Sequence, residues 1–142
     1  MNVSARNVFR GRISRRVDGA VNAEVAIALP GGDTIVAIVT EGSVASLGLA
    51  VGKEAIACVK APWVMLLAGP QDAKFSARNQ LTGTVSALRK GAVNAEVAIT
   101  LPGGTVVHAV VTNEAVLELG LREGVVATAL IKASHVILGV PA

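Results

Sequence analysis

Three features of the sequence predict a mainly β fold of two tandem small barrels. They are a core palette of small and β-branched side chains, closely spaced turn signals, and one unit that occurs twice. Of 142 residues, 52 % are apolar, and 23 Val and 24 Ala make up most of these. Only Phe9, Trp63 and Phe75 are aromatic, so any interior is filled by small side chains rather than rings. Valine favours strand, because its branched Cβ restricts χ1 and packs well on a pleated surface. Sliding the sequence on itself by 72 residues aligns 4–70 with 76–142 without a gap, and 33 of those 67 positions are identical. Such self-similarity marks a duplicated structural unit. The two units are expected at 1–70 and 71–142, joined by a short linker around Gly69–Lys74.

The elements of one unit follow in order. Residues 8–17 and 20–29 alternate as strands, and Asp18-Gly19 between them is a hairpin signal, glycine supplying the positive φ of a tight turn. Pro30-Gly31-Gly32 marks a turn before a strand over 34–40. Val44, Leu47 and Leu49 stand at helical spacing, and Gly48 ends one or two helical turns within 41–49. Strands over 54–60 and 63–67 complete the unit. Five strands with a short helix between the third and fourth describe an OB-like barrel. A domain this small is marginal alone, so pairing the copies and then associating chains would supply burial.

Composition excludes several classes. Charged residues make up 16 % of the chain against roughly 25 % in soluble domains, which with the high apolar content rules out disorder. The longest stretch free of Asp, Glu, Lys and Arg, Val97 to Asn113, contains Pro102-Gly103-Gly104 and His108 and is no membrane-spanning helix. The start, Met1 to Arg6, has no apolar signal segment, and the single Cys58 permits no intrachain disulfide, which together fit a reducing cytoplasm. Low charge without a membrane span points to apolar surface buried between subunits. The net charge of +3 is spread over both units, and the one cluster, Arg10, Arg12, Arg15 and Arg16, is absent from the second. Without stacking aromatics it reads as a solvated strand rather than a nucleic-acid surface.

Catalysis is disfavoured. His108 and His135 stand where the other unit has Val36 and Trp63, and Cys58 where it has Leu130. The one acidic residue kept in both copies, Glu24/Glu96, does not make an acid/base pair. No set of residues has metal-ligand spacing.

The polar residues that recur are nearly all donors: Ser4/Ser76, Arg6/Arg78, Asn7/Asn79, Ser14/Ser86, Asn22/Asn94, Thr40/Thr112 and Lys60/Lys132. A deprotonated tetrahedral oxyanion offers acceptors only, so a pocket for it needs hydroxyls, cations and backbone N–H groups, with no carboxylate nearby. The helix start after Thr40 adds N–H groups. Lys60 and Lys132 each interrupt an apolar strand, where either an anion partners the ammonium or the stem lies along the barrel and the head reaches water.

Ser-Ala-Arg-Asn followed by glycine, Thr-x-x-Ser before a short helix with Leu-Gly-Leu, and Lys-Ala-Pro-Trp-Val together resemble the Mop domain of the molbindins, also found in molybdate-responsive regulators and transporter ATPases. The likeness covers the chain as two tandem copies. It implies OB-like domains, a trimer of two-domain chains, no enzymatic activity, and molybdate, with tungstate as surrogate, held between subunits for storage and homeostasis in the cytoplasm. An accessory sensing module acting through a protein partner and an OB-type nucleic-acid binder are the alternatives. By position, Ser4, Arg6 and Lys60 would face Thr40 and Ser43 of a neighbouring domain, and Trp63 would report on that site. The second copy offers Ser76, Arg78, Lys132 and Thr112. There Ala115 replaces Ser43, leaving only its backbone N–H. A second class of oxyanion site in the family makes Asn22 and Asn94 candidates, with a turn-and-strand role as the alternative.

Overall fold

The computed structural model describes residues 1–142. In the first repeat β1 spans Asn7–Asp18, β2 Asn22–Ala28, β3 Thr34–Thr40, α1 Glu41–Leu47, β4 Glu54–Val59 and β5 Met65–Leu67. The second has β6 Asn79–Lys90, β7 Asn94–Thr100, β8 Val106–Thr112, α2 Asn113–Leu119, β9 Val126–Ile131 and β10 Ile137–Gly139. The predicted mainly β class, five strands per repeat and short helix are all present.

β1 is long because it serves two partners. Its first half pairs antiparallel with β4, from Asn7 opposite Val59 to Arg12 opposite Glu54, and its second half with β2, from Arg12 opposite Ala28 to Asp18 opposite Ala23. A bulge between Ile13 and Arg15 bends the strand from one partner to the other, and β6 repeats it between Val85 and Ala87. Thr40 caps α1 by accepting the Ser43 N–H at 3.1 Å, and Gly48 closes it in the left-handed region at φ 63°. At the hairpin the expected reason for glycine is corrected. Gly19 has no positive φ; a Cβ there would fall 2.7 Å from the Asn22 carbonyl oxygen, so the constraint is steric.

The fifth strands do not close their own barrels. After β4 the chain makes a 3₁₀ turn, Ala61–Trp63, and β5 then pairs with β9, Met65 opposite Leu130 and Leu67 opposite Thr128. The turn Ala133–His135 likewise sends β10 to β4, Ile137 opposite Cys58. The two sheets run β10-β4-β1-β2-β3 and β5-β9-β6-β7-β8, so each half of the sequence contributes to both. This corrects the expectation that consecutive strands complete each barrel. The exchange is favourable because Ala61, Val64, Ala133, Val136 and Leu138 are all buried, and one apolar cluster of 28 buried residues runs through both repeats. Fusing two small cores raises the fraction of surface removed from water.

Equivalent residues meet where the repeats face each other. The Trp63 and His135 rings lie 5.1 Å apart, and a Cβ on Gly31 would stand 2.1 Å from the Gly103 carbonyl oxygen. Contact between a residue and its own copy marks a local twofold axis. The double-glycine turns let the backbones touch there. No helix is long and apolar enough to cross a membrane.

Candidate functional site

The strand exchange sets the surroundings of the candidate donors. Asn7 pairs with Val59, so Arg6 and Lys60 follow side by side at the same end of the β1/β4 pair, with Ser4 two residues further out. Asn79 and Ile131 place Arg78 and Lys132 in the same relation at the end of β6/β9. Ser4, Lys60, Ser76 and Lys132 are exposed. The ammonium heads therefore reach water in the single chain, and their stems follow the strand ends. Ser76 and Lys132 share a cavity of about 280 Å³ with Trp63, Met65, Phe75 and His135. The Trp63 side chain thus lines the cavity of the second copy's donors, while its backbone N–H donates to the Lys60 carbonyl of the first at 3.0 Å.

Thr40 and Ser43 lie at the cap of α1, with no hydrogen bond in this chain to Ser4, Arg6, Lys60 or their counterparts. Thr40 Oγ1 accepts the Ser43 N–H and donates to Ser43 Oγ at 3.0 Å, which leaves the Ser43 hydroxyl proton free to donate. In the second copy the Ala115 N–H is given to Thr112 Oγ1 at 3.0 Å. The spare donor at that cap is therefore the Thr112 hydroxyl, rather than the backbone N–H that sequence reasoning assigned.

Asn22 begins β2 opposite Thr40, and Asn94 begins β7 opposite Thr112. Their carbonyls accept the Gly19 and Gly91 N–H groups at 2.9 and 2.7 Å, so both have the turn role. Their side chains make no hydrogen bond within the chain. Asn94 also lines a cavity of about 270 Å³ with Arg89, Lys90 and Glu96.

Two recurring residues have functions that the sequence left unassigned. Asn7 and Asn79, grouped above with the donors, are buried clamps. The Asn7 carboxamide accepts from His108 N at 2.7 Å and donates to His108 O at 2.8 Å, while Asn79 does the same to Val36 at 2.7 and 2.8 Å. Each satisfies the free backbone of an edge strand in the other repeat, which takes both carboxamides out of any ligand set. Glu24 and Glu96 are the second case. Arg78 Nη1 and Nη2 donate to Glu24 Oε2 and Oε1 at 2.6 and 2.7 Å, and Arg6 binds Glu96 in the same two-pronged way, at 2.9 and 2.5 Å. A carboxylate therefore does stand beside each arginine, contrary to the expected carboxylate-free pocket. The signal was present, since this glutamate is the one acid that both copies keep.

The two histidines adjoin these groups without recurring between the copies, and the cysteine is a single thiol. Burial pushes the Cys58 thiol up from its ordinary range, opposed in part by the Arg10 guanidinium, which disfavours the reactive thiolate. His108 Nδ1 lies 3.6 Å from Glu96, and the His135 ring meets Trp63 at a tilt of 42°.

Comparison with known proteins agrees with this organisation. The TOBE domain matches twice, over residues 3–66 and 76–138. The molybdenum-pterin-binding protein MopA of Rhodobacter capsulatus is 47 % identical over 141 residues, covering 99 % of this chain and 53 % of MopA. The molybdenum transport protein ModE of Azotobacter vinelandii is 45 % identical over 140 residues, covering 99 % of this chain and 52 % of ModE. The chain spans about half the length of these curated relatives. A solved structure of the cytoplasmic molybdate-binding protein ModG with molybdate bound is 58 % identical, covers 99 % of this chain and 100 % of its own, and superposes with a TM-score of 0.95. The likeness to Mop-type proteins read from the motifs is borne out by these matches. With the domain matched in both copies, over most of the chain, the chain belongs to the TOBE domain family, as a tandem pair.

Proposed function

We propose that this chain binds molybdate reversibly, as a non-enzymatic store that buffers the ion in the cytoplasm. One observation carries the reading: a serine, an arginine and a lysine recur at one strand end, and a threonine at a helix cap, with gapless spacing in a chain 58 % identical to ModG over 99 % of its length. Molybdate is a tetrahedral dianion with acceptors only, and each end meets it with ammonium, guanidinium and hydroxyl donors, its glutamate being engaged by the arginine. Ser4, Arg6 and Lys60 hold one face of the ion. Thr40 and Ser43 of a neighbouring chain close the other. The second copy uses Ser76, Arg78 and Lys132 against Thr112, with Ala115 contributing no hydroxyl. Asn22 and Asn94 form a second class of site.

Closure by a neighbour requires association, and the exposed apolar residues favour it. Val21 and Val93 are 71 % and 70 % exposed, and Met65 and Ile137 are both 62 % exposed, so each repeat presents the same apolar pair. Their recurrence at equivalent positions in both repeats supports covering by a neighbouring chain. A closed trimer buries them and repeats every site by symmetry. Tungstate, with the same charge and shape, binds as well. Sulfate is too small to reach all donors, and the remaining proton of phosphate occupies an oxygen that these donors would otherwise bond.

The test is equilibrium dialysis against molybdate, with sulfate and phosphate as competitors. Retention at micromolar molybdate that tungstate displaces and sulfate does not is expected; no retention overturns the reading. The ModE match favours one further reading, since relatives of that name include a transcriptional regulator: a sensing module that acts through a protein partner. That role requires molybdate to change the chain's affinity for its partner, whereas storage requires none.

A further inference from the structure

The arginine–glutamate pairs join opposite repeats. Arg6 is held by Glu96, 90 residues away, and Arg78 by Glu24, 54 residues away. A surface ion pair contributes little to stability, typically under about 1 kcal/mol, so stability does not explain why both pairs recur. Their geometry suggests another use. Each glutamate takes one N–H from each terminal nitrogen of the guanidinium, and an arginine has five, so Nε–H and the outer N–H groups remain for an oxyanion. The arginine side chains are about half exposed, at 56 % and 48 %, while the glutamates are 28 % and 20 % exposed and fixed on strands. A long exposed side chain is thus anchored at its head by a less exposed partner.

We propose that Glu24 and Glu96 are positioning residues acting between repeats, Glu96 orienting Arg6 and Glu24 orienting Arg78 toward the oxyanion. The inference rests on the reading that these arginines bind molybdate. It assigns each donor end to both halves of the sequence: the Ser4/Arg6/Lys60 end depends on a glutamate of the second repeat, and the Ser76/Arg78/Lys132 end on one of the first. The surroundings of the two glutamates differ. Glu24 also faces Arg15 at 3.8 Å, and Glu96 faces His108 Nδ1 at 3.6 Å. Arg15 and His108 correspond to Ala87 and Val36, so the arginine–glutamate pair is the shared part.

Removing a glutamate has two opposed effects on a dianion. It frees the guanidinium, which then must be ordered on binding, and it removes a negative charge. At about 0.5 M salt, where screening acts over roughly 4 Å, the second effect is suppressed and the first remains. The experiment measures molybdate affinity by equilibrium dialysis at that salt, in full-length chains with one donor end disabled. Lys60→Met leaves the Arg78 end and Lys132→Met leaves the Arg6 end. Glu24→Ala is expected to weaken binding roughly tenfold in the Lys60→Met background, and Glu96→Ala to do so in the Lys132→Met background. Each leaves the opposite background within about twofold. Glu24→Gln and Glu96→Gln, which keep one acceptor, recover part of the loss. Circular dichroism confirms folding, and the unaffected background serves as a functional control. Losses confined to the same repeat, equal losses in both backgrounds, or no loss in either overturn the proposal. If the unmodified protein retains no molybdate, the functional reading itself fails, whereas retention with unmoved affinities overturns the positioning role alone.

Discussion

The two helix-cap corners have the same backbone and different chemistry. Thr40 and Thr112 adopt φ, ψ of −72°, 152° and −71°, 152°, and Gly48 and Gly120 both have φ 63°. Around that frame the first corner carries Ser43, Glu41 and Asp18, and the second Ala115, Asn113 and Lys90. Glu41 reaches the Gly19 N–H at 3.3 Å, whereas Asn113 donates to the Gly91 carbonyl at 2.9 Å. The first corner therefore has the extra hydroxyl and two acids, and the second lacks the hydroxyl and sets Lys90 against the single acid of its first turn, Glu114. Since duplication the scaffold has been kept by its caps and turns, while the groups that would meet an anion have diverged.

The clamps give the largest difference between repeats. Asn79 makes a third bond, to the Ile131 carbonyl at 3.2 Å, which Asn7 lacks. Asn7→Ala leaves the His108 backbone N–H and C=O unpaired, at about 1–3 kcal/mol each, so a loss of about 3 kcal/mol is expected. That lowers the thermal midpoint by roughly 10 °C in a chain of this size. Asn79→Ala costs more. Thermal unfolding of both variants checks the order, and an equal or reversed order means that the third bond contributes nothing.

Next come the lysines. Lys132→Met and Lys60→Met each remove a charge-assisted donor, so a loss of about 10- to 100-fold in affinity is expected at one donor end only. Trp63 tells them apart. Because it lines the cavity of Ser76 and Lys132, its emission response to molybdate is lost in Lys132→Met and kept in Lys60→Met. The reverse pattern means that the strand exchange is absent in solution.

That assignment shows where the sequence was legible. Strands, turns, caps and the repeating donors rest on local signals: alternation over 8–17, glycine at 48, threonine at 40. The choice of partner for the fifth strand is not local. Met65–Leu67 and Ile137–Gly139 are equivalent segments, and β4 and β9 offer them equivalent edges, so nothing within a repeat distinguishes exchange from self-closure. Contacts that depend on the exchange were hidden with it: Glu24 with Arg78, Glu96 with Arg6, and Trp63 beside Lys132. In sequence Glu24 and Glu96 stand out only as acids, because their arginines lie 54 and 90 residues away.

A smaller effect is expected from restoring the missing hydroxyl. Ala115→Ser recreates the Thr40–Ser43 arrangement, in which the threonine donates to the serine and the serine proton is free for a ligand. One added neutral hydrogen bond is worth about 1 kcal/mol, hence about a fivefold gain at sites closed by Thr112. Dialysis in a background that retains only those sites measures it. No gain means that the α2 cap does not face the ion.

The smallest expected effect tests the charge contrast itself. Lys90 and Arg89 line the cavity beside Asn94, whereas the matching residues near Asn22 are Asp18 and Val17, with Asp18 paired to Arg16 at 3.2 Å. If both asparagines hold a second class of oxyanion, the Asn94 corner binds it better. Lys90→Asp should then weaken that binding about threefold near 0.1 M salt, and Asp18→Lys should strengthen the Asn22 corner by a similar factor, since exposed charges contribute well under 1 kcal/mol each. Both changes fade at 1 M salt, where screening acts over about 3 Å. A salt-independent change would mean that Lys90 contacts the ion directly. No change in either variant would leave Asn22 and Asn94 with the role their carbonyls already have, closing the turns that lead into β2 and β7.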